Sequence, residues 1–149
     1  MKKFFIIIKI FFVYLFLISG GTAKESDYLK KGIELFQKKE FDKSKILFER
    51  DIVFNTKNEN SYLYLAKIFN KKDNDEEQEI NLANVLLLNP QNDEALYMFA
   101  LLKIKQSDYK QAKELIDQFI LVCKSFCIKT NEIQEKLSKL SPENAKVED

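Results

Sequence analysis

An all-α fold is predicted for this chain by three observations. Laid over itself at a shift of 34 residues, the sequence keeps small residues on small and large on large: Gly32, Ala66 and Ala100 share one phase, and Phe48, Leu82 and Ile116 another. Strand signals are missing, since no short alternating runs flank Asn-Gly or Asp-Gly turns, and Lys, Glu, Leu, Ile and Phe dominate the middle of the chain. Pro90 stops one apolar stretch three residues before the acidic start of the next at Asp93, which marks a boundary between copies. With 149 residues, 46% of them hydrophobic and 32% charged, the chain can build one domain with a real core.

The first element, in chain order, is a targeting segment. Lys2 and Lys3 precede an apolar stretch from Phe4 to Ile18, and the small residues Ser19, Gly20, Gly21, Thr22 and Ala23 follow it. This is the layout of a secretory signal peptide over residues 1–23, with Gly21 and Ala23 as the small residues at the cleavage site. The competing reading is an uncleaved inner-membrane anchor through residues 4–18. Against it stand a length below the ~20 residues needed to cross a bilayer and the interruption at Lys9. No cysteine follows the apolar stretch to carry a bacterial lipoprotein anchor. Removal of residues 1–23 leaves 21 basic against 23 acidic side chains, a net charge of −2, with no basic excess to favour nucleic acid or anionic lipid.

Three helical hairpins are expected next, because neither helix of a copy can bury its apolar stripe alone. Glu25–Lys38 pairs with Asp42–Asn55, Glu59–Lys71 with Asp75–Asn89, and Asp93–Lys105 with Asp108–Val122, giving copies over about 25–58, 59–92 and 93–126. Asp42, Asp75, Asp93 and Asp108 place a capping or dipole-matching carboxylate near helix starts. A last helix over about 129–140 spaces Ile133, Leu137 and Leu140 along one stripe and would shield the final copy, within a domain of residues 24–140. Residues 141–149, which include Pro142, read as a loose tail.

This pattern resembles the tetratricopeptide repeat family, whose copies are 34-residue helix–turn–helix units. The middle copy matches at Tyr62, Leu65, Ala66, Phe69 and Pro90, the third at Ala100, Tyr109 and Ala112, and the first at Tyr28, Gly32, Phe41, Ser44 and Phe48. It departs at Lys31, where the family favours Leu, at Asp51 and Val85, where it favours Ala, and at Thr56 and Lys124, where it favours Pro. The resemblance implies a right-handed α-solenoid whose first helices line a concave binding face. The inward positions would be Leu29, Ile33 and Phe36, then Leu63, Lys67, Asn70 and Lys71, then Tyr97, Leu101, Ile104 and Lys105, a groove apolar at both ends with a basic centre. Chaperone-binding members hold a terminal carboxylate with Lys, Asn and Arg. Here Leu29, Ile33, Glu94 and Met98 occupy those places, so a hydrophobic peptide or amphipathic helix is the expected ligand, with Lys67 and Lys71 meeting an acidic group on it.

Chemistry-bearing residues are sparse. The three glycines form no phosphate-cradling loop, and the absence of histidine removes the usual general base and the commonest metal ligand. Cys123 and Cys127 flank the turn after the third hairpin. A disulfide stapling that turn is the leading reading, with two buried thiols, or a weakly redox-active pair, as alternatives. The alternation of Asp73, Asp75 and Glu77 suggests a calcium loop, but Gln78 stands where glycine is needed and Asn84 where the bidentate glutamate is needed, so an acidic turn and first helical turn is the simpler reading.

The function expected is a non-enzymatic adaptor or scaffold, exported to the periplasm and binding an envelope protein, with no metal, cofactor or nucleic acid and with the mature domain outside the membrane core. A structural accessory subunit of an envelope complex, or a homo-oligomer, is the alternative, and thiol–disulfide exchange through Cys123 and Cys127 is the enzymatic one.

Overall fold

The computed structural model describes residues 26–140. The signal segment and the tail after Leu140 lie outside the described residues. Seven α-helices follow one another: α1 (Asp27–Gln37), α2 (Phe41–Phe54), α3 (Glu59–Lys71), α4 (Asp75–Leu88), α5 (Asp93–Lys105), α6 (Tyr109–Val122) and α7 (Thr130–Leu140), with a 3-10 turn at Cys127–Lys129 before the last. No strand occurs among the described residues. α1 packs on α2, α3 on α4 and α5 on α6 as antiparallel hairpins. The hairpins stack through α2 on α3 and α4 on α5, and α7 closes the stack against α5 and α6.

The 34-residue periodicity is carried into the packing. In the first hairpin Gly32 meets Phe48, and at the same register Ala66, Leu82, Ala100 and Ile116 are buried together in one cluster. In the first hairpin the ring comes so close that a Cβ on Gly32 would stand 2.6 Å from Phe48 Cε1. Tyr64 then stacks on Phe48 at 5.0 Å between centroids, and Phe36 meets both Tyr64 and Phe41 edge-on.

The buried side chains divide into two clusters, one around Leu29, Phe48, Leu65, Ile68 and Phe69, and a larger one running from Leu63 and Leu82 through Leu96, Phe119 and Ile133. α3 contributes to both. Lys103 is buried in the second hairpin junction, where its ammonium sits 2.6 Å from Glu79 and 5.2 Å from the Phe99 ring centroid. The Lys103 hydrogen bond holds the Glu79 carboxyl below the usual carboxylate range, against the desolvation that would raise it. On α7, Ile133 is fully buried, Leu137 packs partly on the core, and Leu140 is half exposed.

Of the four carboxylates read near helix starts, Asp108 caps its helix, and Asp42, Asp75 and Asp93 lie in the first turn, where they match the helix dipole. The capping side chains are Ser26, Asn58, Asn74, Asn92 and Asp108, each accepting from a backbone N–H in the first turn; α2 begins at Glu40 with no side-chain cap. Asp75 and Asp93 stand one place inside their helices and Asp42 two places past Glu40, so none of the three caps. Their carboxylates are engaged by Lys105, by residues 124–126 and by Lys72. Within each hairpin the turn demands a left-handed residue, supplied at one register by Lys39 (φ 61°), Asp73 (φ 51°) and Ser107 (φ 62°).

A candidate interaction groove

The first helices α1, α3 and α5, together with α7, occupy equivalent places along the stack. Continuing the 34-residue shift from Asp93 leads to residue 127, which opens the turn into α7. α7 is therefore both a cap and a fourth first helix, and it adds to the face that α3 and α5 present.

A pocket of about 240 Å³ lies on that face, lined by Asn70, Gln78, Met98, Leu101, Leu102, Lys105 and Lys136. Gln78 and Leu102 are buried and form its floor, Met98 and Leu101 are half-buried, and Asn70, Lys105 and Lys136 are exposed at its rim. The chemistry is that of an apolar slot with a cationic edge. Lys105 is held in place there: Asp75 accepts from its ammonium at 2.7 Å and Asp73 at 3.5 Å. The Asp75 hydrogen bond, ahead of the group's own desolvation, pushes the Lys105 pKa up.

Of the eleven positions that the resemblance places inward, Asn70, Leu101 and Lys105 come together in this pocket. Leu29 is buried in the smaller core cluster, and Ile33 and Phe36 pack against it. Leu63 and Ile104 are buried in the larger one. Tyr97 is buried as well, with its ring 5.9 Å from both Phe119 and Phe126 and its hydroxyl donating to Glu132 of α7 at 3.0 Å. Burial, then the Glu132 bond, raise the Tyr97 pKa. The closing helix covers this ring, and nothing on α5 alone announces that.

The basic centre is also internally engaged. Lys67 pairs with Glu94 at 2.8 Å and lies over the Tyr64 ring, and Lys71 lies over the Phe41 ring at 5.6 Å. Sequence reasoning did not include Met98, Gln78, Leu102 or Lys136 among the inward positions. Met98 had a signal, since the resemblance sets it at one of the family's clamp positions, and Lys136 had one in the extension of the register into α7.

Cys123 and Cys127 are bonded to each other, with Cα atoms 5.2 Å apart, and close the loop between α6 and the 3-10 turn. Asp93 holds the same loop, its Oδ2 accepting from the N–H groups of Lys124, Ser125 and Phe126 at 2.7, 2.6 and 3.1 Å. Burial pushes this carboxyl up, but the backbone donors together outweigh it and leave Asp93 below its usual range. No group of three or more acidic, His or Cys side chains able to hold a metal occurs among the described residues.

Hairpins of one length, stacked at one register with small-to-large crossings and a closing helix, define a tetratricopeptide-type α-solenoid. Two solved structures share that fold. The type III secretion chaperone SycD of Yersinia enterocolitica, solved in complex with a peptide of the translocator YopD, superposes with a TM-score of 0.69 at 9% identity over 80% of this chain and 96% of that one. PilF of Pseudomonas aeruginosa superposes with a TM-score of 0.63 at 14% identity over 80% of this chain and 53% of that one. No protein-family model and no curated protein matches the sequence.

Proposed function

We propose that this chain is a non-enzymatic adaptor of the bacterial envelope that receives a hydrophobic peptide or an amphipathic helix of another envelope protein in the groove of α3, α5 and α7. The observation that carries the reading is the pocket itself. Met98 and Leu101 stand half-buried over a floor of Leu102 and Gln78, with Lys136 at the rim to meet a carboxylate on the ligand. Methionine suits such a slot because its unbranched side chain adapts to more than one apolar partner. The similarity to a secretion chaperone solved with a bound peptide supports a peptide ligand. Export rests on the basic start, apolar stretch and small residues of the first 23 positions.

The test is site-directed photocrosslinking in cells of the native host, with a photoreactive phenylalanine at Leu101 or, as control, at Gln37. A discrete adduct at 101, lost on adding Met98→Glu while the circular dichroism spectrum stays helical, is the expected result. Equal adducts at both positions, or none at 101, would refute the groove as the binding face. Intact mass of the protein from the same envelope fraction reads export directly, since loss of residues 1–23 is expected.

A further inference from the structure

Gln78, on the floor of the pocket, is a polar side chain that the fold does not use. It is 3% exposed, so nearly all of it has left water. Its backbone N–H donates to Asn74 O at the start of α4, but no hydrogen bond joins its carboxamide to any described residue. Buried polar side chains are satisfied almost everywhere in folded proteins, and this one offers both a donor and an acceptor. Among the described residues no side-chain nitrogen or oxygen that is sealed from solvent lacks a partner. The carboxamide therefore keeps an opening, and the pocket it lines is that opening.

The repeat shows that packing does not ask for a glutamine here. One copy earlier and one copy later the same register holds Ser44 and Ala112, both fully buried. The Ser44 hydroxyl is satisfied inside its own hairpin, donating to Gly32 O at 2.8 Å, and the Ala112 side chain has no polar group to satisfy. The middle copy departs from both with a longer amide that lines the pocket.

The neighbours of Gln78 narrow the occupant. Asn70 presents a second carboxamide at the rim that bonds no described residue, and Lys136 makes no ion pair with one, whereas Lys105 is held by Asp75 and Asp73. The apolar part of the site is small. A cavity of ~150 Å³ already holds a benzene ring, so about 240 Å³ takes one apolar side chain and its adjoining peptide group. A helix in a groove needs a row of anchors at i, i+4 and i+7, and the other apolar inward positions of α3 and α5, Leu63, Tyr97 and Ile104, are buried in the core. A helix also keeps its backbone N–H and C=O groups bonded to one another, whereas an extended chain leaves them free to pair with an amide.

We infer, resting on the groove reading proposed above, that the ligand is an extended peptide segment which Gln78 holds by its backbone. Gln78 Oε1 accepts from a peptide N–H of the ligand and Nε2 donates to a peptide C=O. One apolar side chain seats on Met98, Leu101 and Leu102, and a neighbouring acidic group meets Lys136. Gln78 thereby selects an extended segment over an amphipathic helix.

The test uses the chain purified from the envelope fraction and two sets of synthetic peptides labelled with fluorescein at the N-terminus and amidated at the C-terminus. The extended set is Ser-Asp-Leu-Asp-Ser with its Ile, Met and Phe counterparts; the helical set is lactam-bridged and carries the same apolar residue at i, i+4 and i+7. Fluorescence polarisation is expected to show binding of an extended peptide, weakened about tenfold by Gln78→Met, while the thermal melt of the free protein is unchanged or raised. Esters replacing each backbone amide of that peptide in turn should find one position that weakens binding about tenfold in the parent chain and not at all in Gln78→Met. Gln78→Leu repeats the measurement, so that a folding failure in one variant does not hide the answer. Equal binding by parent and variants, the absence of any coupled ester position, or a lower melting temperature in both variants would overturn the inference, the last because it makes the carboxamide structural. Binding of the helical set alone would overturn it and leave the groove reading standing; binding of neither set would refute both.

Discussion

The junction between the first and second hairpins and the junction between the second and third are built on the same backbone plan with opposite chemistry. At the second junction Val85 and Ala95 meet in the apolar core, both with no exposed surface. One repeat earlier the same two places hold Asp51 and Ser61, equally buried. Asp51 there accepts from Ser26, Ser61 and, at 2.6 Å, from Asn58 Nδ2, and no cation joins them. A solenoid junction can therefore be closed by hydrocarbon or by a saturated carboxylate. The second solution fixes geometry more tightly, because three neutral donors, from the cap of α1, the turn before α3 and α3 itself, must converge on one group.

Making the first junction like the second is the most disruptive way to break this contrast. Asp51→Val strands three donors, two of them on serines, and is expected to cost about 2–4 kcal/mol in urea unfolding. Adding Ser61→Ala, which completes the Val85–Ala95 pattern, should restore about half of that loss. No restoration would mean that Asn58 and Ser26 are the groups left in deficit.

The crossings offer a second exchange. Gly32→Ala forces a Cβ onto Phe48 and should destabilise by about 1–3 kcal/mol. Combined with Phe48→Leu it reproduces the Ala66–Leu82 pair of the next hairpin, and calorimetry should recover most of the stability.

A smaller effect comes from the carboxylate that holds the disulfide loop. Glu59 accepts from Asn89 and Asn92 in the turn ahead of it, and Asp93, one repeat on, accepts from three backbone N–H groups of the disulfide loop. Because the folded Asp93 carboxyl lies below its ordinary value of 3.8, its contribution is complete above that value and is lost as pH falls through the folded pKa. Asp93→Asn should lower stability at neutral pH and flatten its decline below about pH 4, as read by denaturant midpoints. Smallest is the gain from glycine at the left-handed turns. Lys39→Gly and Ser107→Gly should each stabilise by about 0.5–1 kcal/mol, relief of steric strain exceeding the added chain entropy.

Much of the fold was legible because it rests on local pattern. Gly32, Ala66 and Ala100 against Phe48, Leu82 and Ile116 announce the crossings, and Pro90 with Asp93 ends one copy and starts the next. The left-handed turns were not legible. Lys39, Asp73 and Ser107 carry no glycine signature, and their shared φ comes from the hairpin geometry that surrounds them. The groove was harder still. Leu101 and Lys105 could be placed from register alone, but whether Tyr97 faces solvent depends on α7 folding back over it, and whether Lys67 is free depends on Glu94, 27 residues away.

By itself the sequence determined that the chain is a stack of helical hairpins, since a 34-residue recurrence of volume and helix punctuation admits few other packings and each is read within one copy. Tertiary structure alone decided which polar groups are consumed inside the fold and which remain at its surface. Asp51 is saturated, Lys67 and Lys105 are paired, Tyr97 is covered, and Val53, Leu87 and Leu121 are left in the open. Those outcomes depend on contacts between copies, where partners lie tens of residues apart and a single-residue pattern carries no record of them.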